Sequence, residues 1–324
     1  MAEHTLLYLT RSDIEQINVP MSDIIAALEH MFKEKGKGNV DMPPKPGIHI
    51  TENSFIHAMP AYIPSLKSAG IKWVSGFPDN YKHNLPYISG LLILNDTENG
   101  FPISVMDCTW ITAMRTGAAT AVAAKYLANP ESSTIGILAC GVQGRSNLEA
   151  LSCVFDISQV IAYDLYPESA QRYAKEMSKK LDLPIDVVNS PKEVVENSDI
   201  VVTSGPILKN PTPTIQKGWL KKGAFGSAVD FDSYWSGDAL QELDKLYTDD
   251  LAQMEYYRTV GYFKNTPIAK ADLGEILAGL KIGRENPSER ILTMNLGLAL
   301  DDMAVAPLIY QKAQEKNIGT ILPL

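Results

Sequence analysis

Ile135-Gly136-Ile137-Leu138-Ala139-Cys140-Gly141-Val142-Gln143-Gly144-Arg145 is the stretch on which the fold turns. Ser133–Ala139 reads as a short apolar strand, and a helix running through Cys153 follows the turn. The glycine fingerprint of dinucleotide-binding folds, GxGxxG, falls on Ala139, Gly141 and Gly144. Its first position is alanine, which weakens the match, although a small residue can still make the tight turn. Gly141 lets the backbone approach a diphosphate, and Gly144 lets helix and strand pack closely. The helix-start amides at Val142 and Gln143 favour an anion beside them. Asp164 stands 20 residues past Gly144, at the end of the next strand, Gln159–Tyr163. A carboxylate there can accept both ribose hydroxyls and repels a 2′-phosphate. No Arg follows in Leu165-Tyr166-Pro167, so NAD is expected over NADP. The alternatives are a strand–turn–helix with no ligand, and an Asp164 that merely caps the next helix.

Working outward, the rhythm continues as helix Glu168–Leu181, strand Ile185–Val188, helix Pro191–Asn197 and strand Asp199–Thr203. Ala224–Val229 and Lys245–Tyr247 read as further strands. Strands alternating with helices argue for a doubly wound parallel sheet of the Rossmann type. Thr203, ending its strand, joins the expected cofactor contacts. Residues 1–128 have a different texture. Ser22 can cap a helix through about Lys35, with Ile24, Ile25, Leu28, Met31 and Phe32 on one face. The run Met42-Pro43-Pro44-Lys45-Pro46 excludes regular helix. Phe55–Met59, Gly70–Val74 and Ile88–Leu94 read as strands, the last forming a hairpin with Pro102–Met106 across Asn95–Gly100. Residues 109–127 make an Ala-rich helix, punctuated by Asn129-Pro130. A last long helix is expected over about Met294–Lys316, packing back on the first part of the chain. The expected division is a substrate-binding and dimerisation domain at 1–128, completed by 294–324, and a dinucleotide-binding domain at 129–293.

Composition narrows the function. The 324 residues suit about two domains, and 45% hydrophobic with 21% charged residues is ordinary globular usage. A formal net charge of −9 with scattered lysines makes nucleic acid an unfavourable partner. No stretch approaches about 18 apolar residues, so no membrane span is expected. The N-terminus turns charged too early for a secretory signal. Cys108, Cys140 and Cys153 form a sparse, odd set without CxxC spacing, which suggests a reducing, cytoplasmic setting. The five histidines are dispersed, with no pair at helical metal-ligand spacing, so no metal is expected.

Four segments, in order along the chain, carry a resemblance. They are Met59-Pro60 with Gly70-Ile71-Lys72-Trp73-Val74-Ser75-Gly76; Thr112-Ala113-Met114-Arg115-Thr116-Gly117-Ala118-Ala119-Thr120; Gly141-Val142-Gln143-Gly144-Arg145; and Gly297-Leu298-Ala299-Leu300-Asp301-Asp302. Together they resemble the ornithine cyclodeaminase / mu-crystallin family. The resemblance implies a Rossmann domain paired with an N-terminal α/β domain that dimerises and is completed by the C-terminal helix. It implies NAD(P) chemistry on amino acids or imines: dehydrogenation, imine reduction, or redox-neutral cyclisation of ornithine or lysine with loss of ammonia. A non-catalytic, mu-crystallin-like ligand-binding role is a further possibility within the family.

The resemblance also implies a substrate carboxylate held by Lys45, Lys72 and Arg115, and an amine contacted by Asp232, with Asp230 one register away. The residues themselves suit these roles. The planar fork of Arg115 matches a carboxylate, and its small neighbours leave room beside it; the alternative is pairing with a buried acid. Strand alternation sets Lys72 on the face opposite Ile71 and Trp73, where a solvated lysine is the plainer reading. A lysine in a closed pocket can also exchange protons with substrate. Lys45 stands where an Arg is more usual, keeping the charge and losing the fork. Asp232 can take an ammonium proton and stabilise an iminium cation, or be a surface acid. His57 stands where ornithine cyclodeaminases carry a Glu for the substrate's side-chain end. That departure speaks against ornithine cyclisation and leaves His57 either meeting a different side chain or serving as a core or interface histidine.

Overall fold

The computed structural model describes residues 4–51 and 53–324. The chain forms two compact units, Met1–Arg115 with Leu298–Leu324, and Thr116–Gly297. The first contains β1 (Thr5–Leu9), α1 (Arg11–Ile17), α2 (Met21–Gly36), β2 (Gly47–Ile48), β3 (Phe55–Ile63), β4 (Ser68–Gly76), β5 (Ile88–Asn95) and β6 (Pro102–Asp107). Helix α3 (Thr109–Leu127) carries the chain into the second unit. There follow β7 (Thr134–Leu138), α4 (Val142–Leu151), β8 (Gln159–Tyr163), α5 (Pro167–Leu181), β9 (Ile185–Val187), α6 (Pro191–Asn197), β10 (Ile200–Thr203) and β11 (Phe225–Ala228). Then come α7 (Gly237–Gln241), β12 (Lys245–Thr248), α8 (Leu251–Thr259), α9 (Leu273–Leu277) and β13 (Ile291–Met294). The chain ends back in the first unit with α10 (Ala299–Lys316) and β14 (Thr320–Pro323).

The second unit is the doubly wound sheet, all parallel, in the order β12-β13-β11-β10-β7-β8-β9. From β7 the chain winds outward through β8 and β9, then returns to lay β10 on the other side of β7. The crevice at the carboxyl ends of β7 and β10 is therefore the switch point, where ligands of such sheets bind. Helices cover both faces, so β7, β10, β11 and β13 carry buried apolar runs with little alternation. Gly136 serves that packing: a Cβ there would lie 2.4 Å from Ser198 Oγ and 2.7 Å from Val194 Cγ1 of α6.

The first unit is a mixed sheet in the order β14-β1-β6-β5-β4-β3-β2, antiparallel except for the β1–β6 pair. Helix α10 lies across β3 and β4 and packs on α1 and α2. Its buried Leu300, Met303 and Ile309 each contribute on the order of 2 kcal/mol relative to exposure. Ser68 Oγ donates to the carbonyl of Met303 at 2.7 Å, and Lys316 Nζ to that of Ile17 at 2.9 Å. The opposite face of the sheet is apolar and exposes large side chains among the described residues. Trp73 is 48% exposed, Leu91 46% and Tyr62 39%, with Ala58, Trp73 and Leu91 side by side in register.

Two expectations are corrected. The last helix begins at Ala299, not Met294, and Ile291–Met294 is a strand between β11 and β12. A four-residue strand buried on both faces shows no period of two, so it merged with the apolar helix after it. Ser22 does not cap α2, because Pro20 occupies the cap position and the helix starts at Met21. Strand β1 and the edge strand β14 beside it had no counterpart in the sequence reading. Among the described residues, no helix is long and apolar enough to cross a membrane.

Candidate active site

In the first unit the chemistry collects on the face of the sheet beneath α10. Strand alternation places Lys72 in register with Met59 and Leu92 on that buried face, while Trp73 points outward. The pattern is inverted relative to an ordinary surface strand, for the lysine is inside and the tryptophan outside. Lys72 Nζ lies 2.6 Å from Asp302 Oδ2 and 3.5 Å from Thr112 Oγ1. Arg115, on α3, reaches Asp301 Oδ2 with Nη1 at 3.2 Å, and its Nε stands 3.5 Å from Asp302 Oδ1. All four charged side chains are buried. The acid pairing weighed as the alternative for Arg115 is thus present, yet it leaves capacity. Among the described residues, Arg115 Nε has no hydrogen-bond acceptor.

Asp301 and Asp302 were not singled out from sequence. The readable signal was two adjacent acids in the otherwise apolar run Leu298-Ala299-Leu300 and Met303-Ala304-Val305. Neighbouring residues on a helix are about 100° apart, so a helix buried nearly all round must bury both. Their position in the first turn of α10 suits the positive end of the helix dipole, and Asp301 Oδ2 accepts from the Leu298 N–H at 2.9 Å.

Burial lowers the pKa of Lys72; the charge of Asp302 works the other way, and Arg115 adds to the lowering. Lys45 is also buried, beside Pro46 and Gly47, which pair with β3. His57 stacks on Phe55 at 4.3 Å between ring centroids. Burial, with the charges of Lys45, His49 and Lys72, brings its pKa down to about 3. Its ring fits only because residue 47 is glycine: a Cβ there would lie 2.2 Å from His57 Cδ2. The structure therefore places Lys45, His57, Lys72 and Arg115 in one buried region, with Asp301 and Asp302 against the last two.

In the second unit the turn after β7 has the form of a diphosphate cradle. Gly141 is exposed at the start of α4, with nothing within 4 Å of where a Cβ would stand. A Cβ on Gly144 would lie 2.7 Å from the Ala139 carbonyl, so glycine is required for helix and strand to pack. Ala139 takes φ +73°, the left-handed conformation that glycine adopts freely and alanine does not. Val142 is exposed and Gln143 half-buried beside the cradle. Asp164 accepts from the Cys140 N–H at 2.7 Å through Oδ2 and from the Tyr166 N–H at 2.9 Å through Oδ1. It does not cap α5, whose cap residue is Tyr166. It ties the ends of β7 and β8 together, and each oxygen keeps a lone pair for a ribose hydroxyl.

The acids after β11 are buried. Asp230 accepts from Thr203 Oγ1 at 2.7 Å and from the Gly205 N–H at 3.0 Å. Burial raises its pKa to about 7, against the pull of those hydrogen bonds. Asp232 accepts from Thr266 Oγ1 at 2.8 Å, and burial raises its pKa as well. Thr203 is fully buried, and its hydroxyl also accepts from Trp235 Nε1 at 3.3 Å. Its polar atom is committed to the loop that follows β11. Among the described residues, no group of three His, Cys, Asp or Glu side chains is arranged to hold a metal ion.

Two outcomes are expected. Ala139→Gly relieves the left-handed strain and stabilises the protein by about 0.5–1 kcal/mol, net of the added freedom of the unfolded chain; an unchanged or lower urea midpoint would count against that strain. His57 has a folded-state pKa of about 3, below its ordinary 6.5. Its neutral ring therefore contributes stability above pH 6.5 that is lost as pH falls toward 3. His57→Phe lacks this dependence, so across that window its urea midpoint falls less steeply than that of the wild type. Parallel curves would mean that His57 is not held neutral.

The comparisons with known proteins bear on the fold and the family. An alanine dehydrogenase of Archaeoglobus fulgidus is 36% identical, with 97% of each chain covered. A solved Δ(1)-pyrroline-2-carboxylate reductase of Thermococcus litoralis, in complex with NADH and L-proline, is 35% identical with a TM-score of 0.88 and covers 97% of this chain and 99% of its own. An archaeal alanine dehydrogenase dimer with bound NAD is 33% identical with a TM-score of 0.88, covering 99% of this chain and 100% of its own. The sequence profile of the ornithine cyclodeaminase/mu-crystallin family matches residues 5–317. From its first strand to the end of its last helix, the chain belongs to the ornithine cyclodeaminase/mu-crystallin family.

Proposed function

We propose that this protein is an NAD-dependent oxidoreductase acting on the CH–NH₂ group of a small amino acid or the C=N group of its imine. The observation that carries the reading is the buried Arg115 beside Lys72, whose Nε makes no hydrogen bond among the described residues, its ion-pair partner Asp302 Oδ1 standing 3.5 Å away. A buried donor without an acceptor is costly, and a substrate carboxylate supplies the missing partner in the geometry a guanidinium prefers. The NAD-bound and NADH-bound relatives, which act on amino acids or cyclic imines, support the same substrate class and the same cofactor.

The cradle fits NAD: Gly141 leaves room, Gly144 allows the packing, and Asp164 stands at the end of β8 for the ribose. When bound, the dinucleotide takes a hydride from the amine-bearing carbon or returns one to an imine carbon. Arg115 and Lys72, with Lys45 beside them, hold the substrate carboxylate and so orient the carbon next to it. Lys72, its pKa lowered by burial, gives up a proton more readily than a solvated lysine does. Asp232, its pKa raised by burial, takes the ammonium proton and, after passing it on to water, stabilises the iminium cation as a carboxylate. His57, held neutral, offers no negative charge to a second ammonium group. That favours monoamino substrates and cyclic imines over the diamines of a cyclodeaminase.

The assembly we infer is a homodimer joined through the apolar outer face of the first sheet, around Trp73 and Leu91. The relative solved as a dimer supports this. A reducing, cytoplasmic setting goes with the three free thiols, Cys108, Cys140 and Cys153.

The test is NADH oxidation with pyruvate plus ammonia or methylamine, and with five- and six-membered cyclic imino acids. At least one should be reduced, with ammonia release alone pointing instead to a cyclodeaminase. Arg115→Ala should lower kcat/KM by roughly 10²–10³-fold while NADH binding survives. Full activity in that variant would remove the carboxylate clamp, and an inert panel with intact NADH binding would leave a ligand-binding protein. Trp73→Lys should convert the dimer to monomer in light scattering; an unchanged mass would place the interface elsewhere.

A further inference from the structure

Each polar group of the turn after β7 faces a definite way. Arg145, in the first turn of α4, donates through Nη1 to the carbonyls of Cys140 at 2.5 Å and Gly141 at 3.0 Å. Its Nε and Nη2 donate to Glu176 Oε2 of α5, at 2.9 and 2.6 Å. The guanidinium carbon lies 5.5 Å from the ring centroid of Tyr173, whose hydroxyl donates to the Gly144 carbonyl at 3.3 Å. Tyr173 is fully buried and Arg145 only partly so. In a planar trans peptide, the carbonyl of one residue and the N–H of the next point in opposite directions. The Gly141 carbonyl also accepts the Arg145 backbone N–H at 3.3 Å, the first bond of α4, whereas the Cys140 carbonyl is held by the Arg145 side chain; the two carbonyls so held turn the N–H groups of Gly141 and Val142 away from that side chain. Among the described residues, neither of those N–H groups meets an acceptor. The Cys140 N–H is already committed to Asp164. Gly141 and Val142 are what the turn presents to an anion.

We propose that Arg145, anchored by Glu176 and Tyr173, is a positioning residue that fixes the peptide planes of the cofactor turn, so that the amides of Gly141 and Val142 stand oriented for a diphosphate. This rests on the dinucleotide reading given above. Arg145 does not itself touch the diphosphate in this account; its charge is neutralised by Glu176, and four of its five N–H donors are taken by the two carbonyls and that carboxylate. The plainer role for an Arg beside a diphosphate site is direct contact, with Glu176 as a competitor for it. The two roles give opposite signs when Glu176 loses its charge, because a clamp loses its anchor whereas a direct ligand is set free.

The experiment measures binding of NADH, ADP and adenosine to the full-length protein by calorimetry, for the wild type, Arg145→Ala and Glu176→Gln. The Glu176 side chain is half exposed, so Glu176→Gln leaves the fold intact, which the thermal midpoint verifies. Both variants should weaken NADH and ADP by about tenfold or more and leave adenosine, which lacks phosphate, unchanged. Tighter NADH binding by Glu176→Gln would overturn the proposal in favour of direct contact. Equal losses for adenosine would overturn it in favour of general loosening of the unit, and unchanged NADH affinity in both variants would remove the clamp while leaving the dinucleotide reading standing. A wild type that fails to bind NADH would overturn that reading and the proposal with it.

Discussion

Two aspartates without access to water, Asp301 and Asp302, stand at the start of α10 against Lys72 and Arg115. A charge removed from water and left alone costs several kcal/mol, and a buried pair offsets this only when its geometry is close. The 2.6 Å contact between Lys72 and Asp302 is close, while those of Arg115 are looser. The arrangement fastens β4 and α3 to the last helix. It also holds two cations in fixed places out of water, where charge is least screened. In the function proposed above, structure and binding draw on the same four side chains.

The second unit reaches a comparable end by backbone rather than by charge. Its switch point between β7 and β10 creates the crevice, and small residues at Ala139, Gly141 and Gly144 open it. Asp164 takes one amide of the turn and Arg145 takes two carbonyls, leaving the remaining amides oriented outward. Alanine at position 139 is a local conflict between residue and conformation, tolerated because its neighbours on β8 and β10 hold the turn: Ala139 donates to the Tyr163 carbonyl, and Ser204 donates to that of Ala139.

Much of this was legible in the chain. Strand Gln159–Tyr163 and helix Pro191–Asn197 match to the residue, since each is bounded by polar or Pro signals and has one clear period. Gly144 could be read from spacing alone, because helix–strand packing allows nothing larger. Strand β13 could not, because burial on both faces erases alternation. Lys72 looked like a surface lysine by pattern, and only its likeness to a family put it inside. Thr203 was read as a cofactor contact, but the direction of a hydroxyl depends on Asp230 and Trp235, distant in sequence and unmarked by spacing. Asp301 and Asp302 were in view as part of a family segment, yet local sequence says nothing of the cations awaiting them across the chain.

The return of α10 and β14 to the first sheet has a consequence for how the molecule comes into being. Ser68 meets Met303, 235 positions later, and Arg115 meets Asp301, 186 positions later. The second unit is one uninterrupted segment and can complete itself as soon as it leaves the ribosome. The first unit is begun early and finished last. Until its closing helix emerges, Lys72 and Arg115 have no aspartates to meet, and the sheet face meant for α10 stays bare. The newborn chain therefore passes through a stage with one half settled and the other sticky, its two buried cations unpaired, the stage at which chaperones and misassembly compete for it.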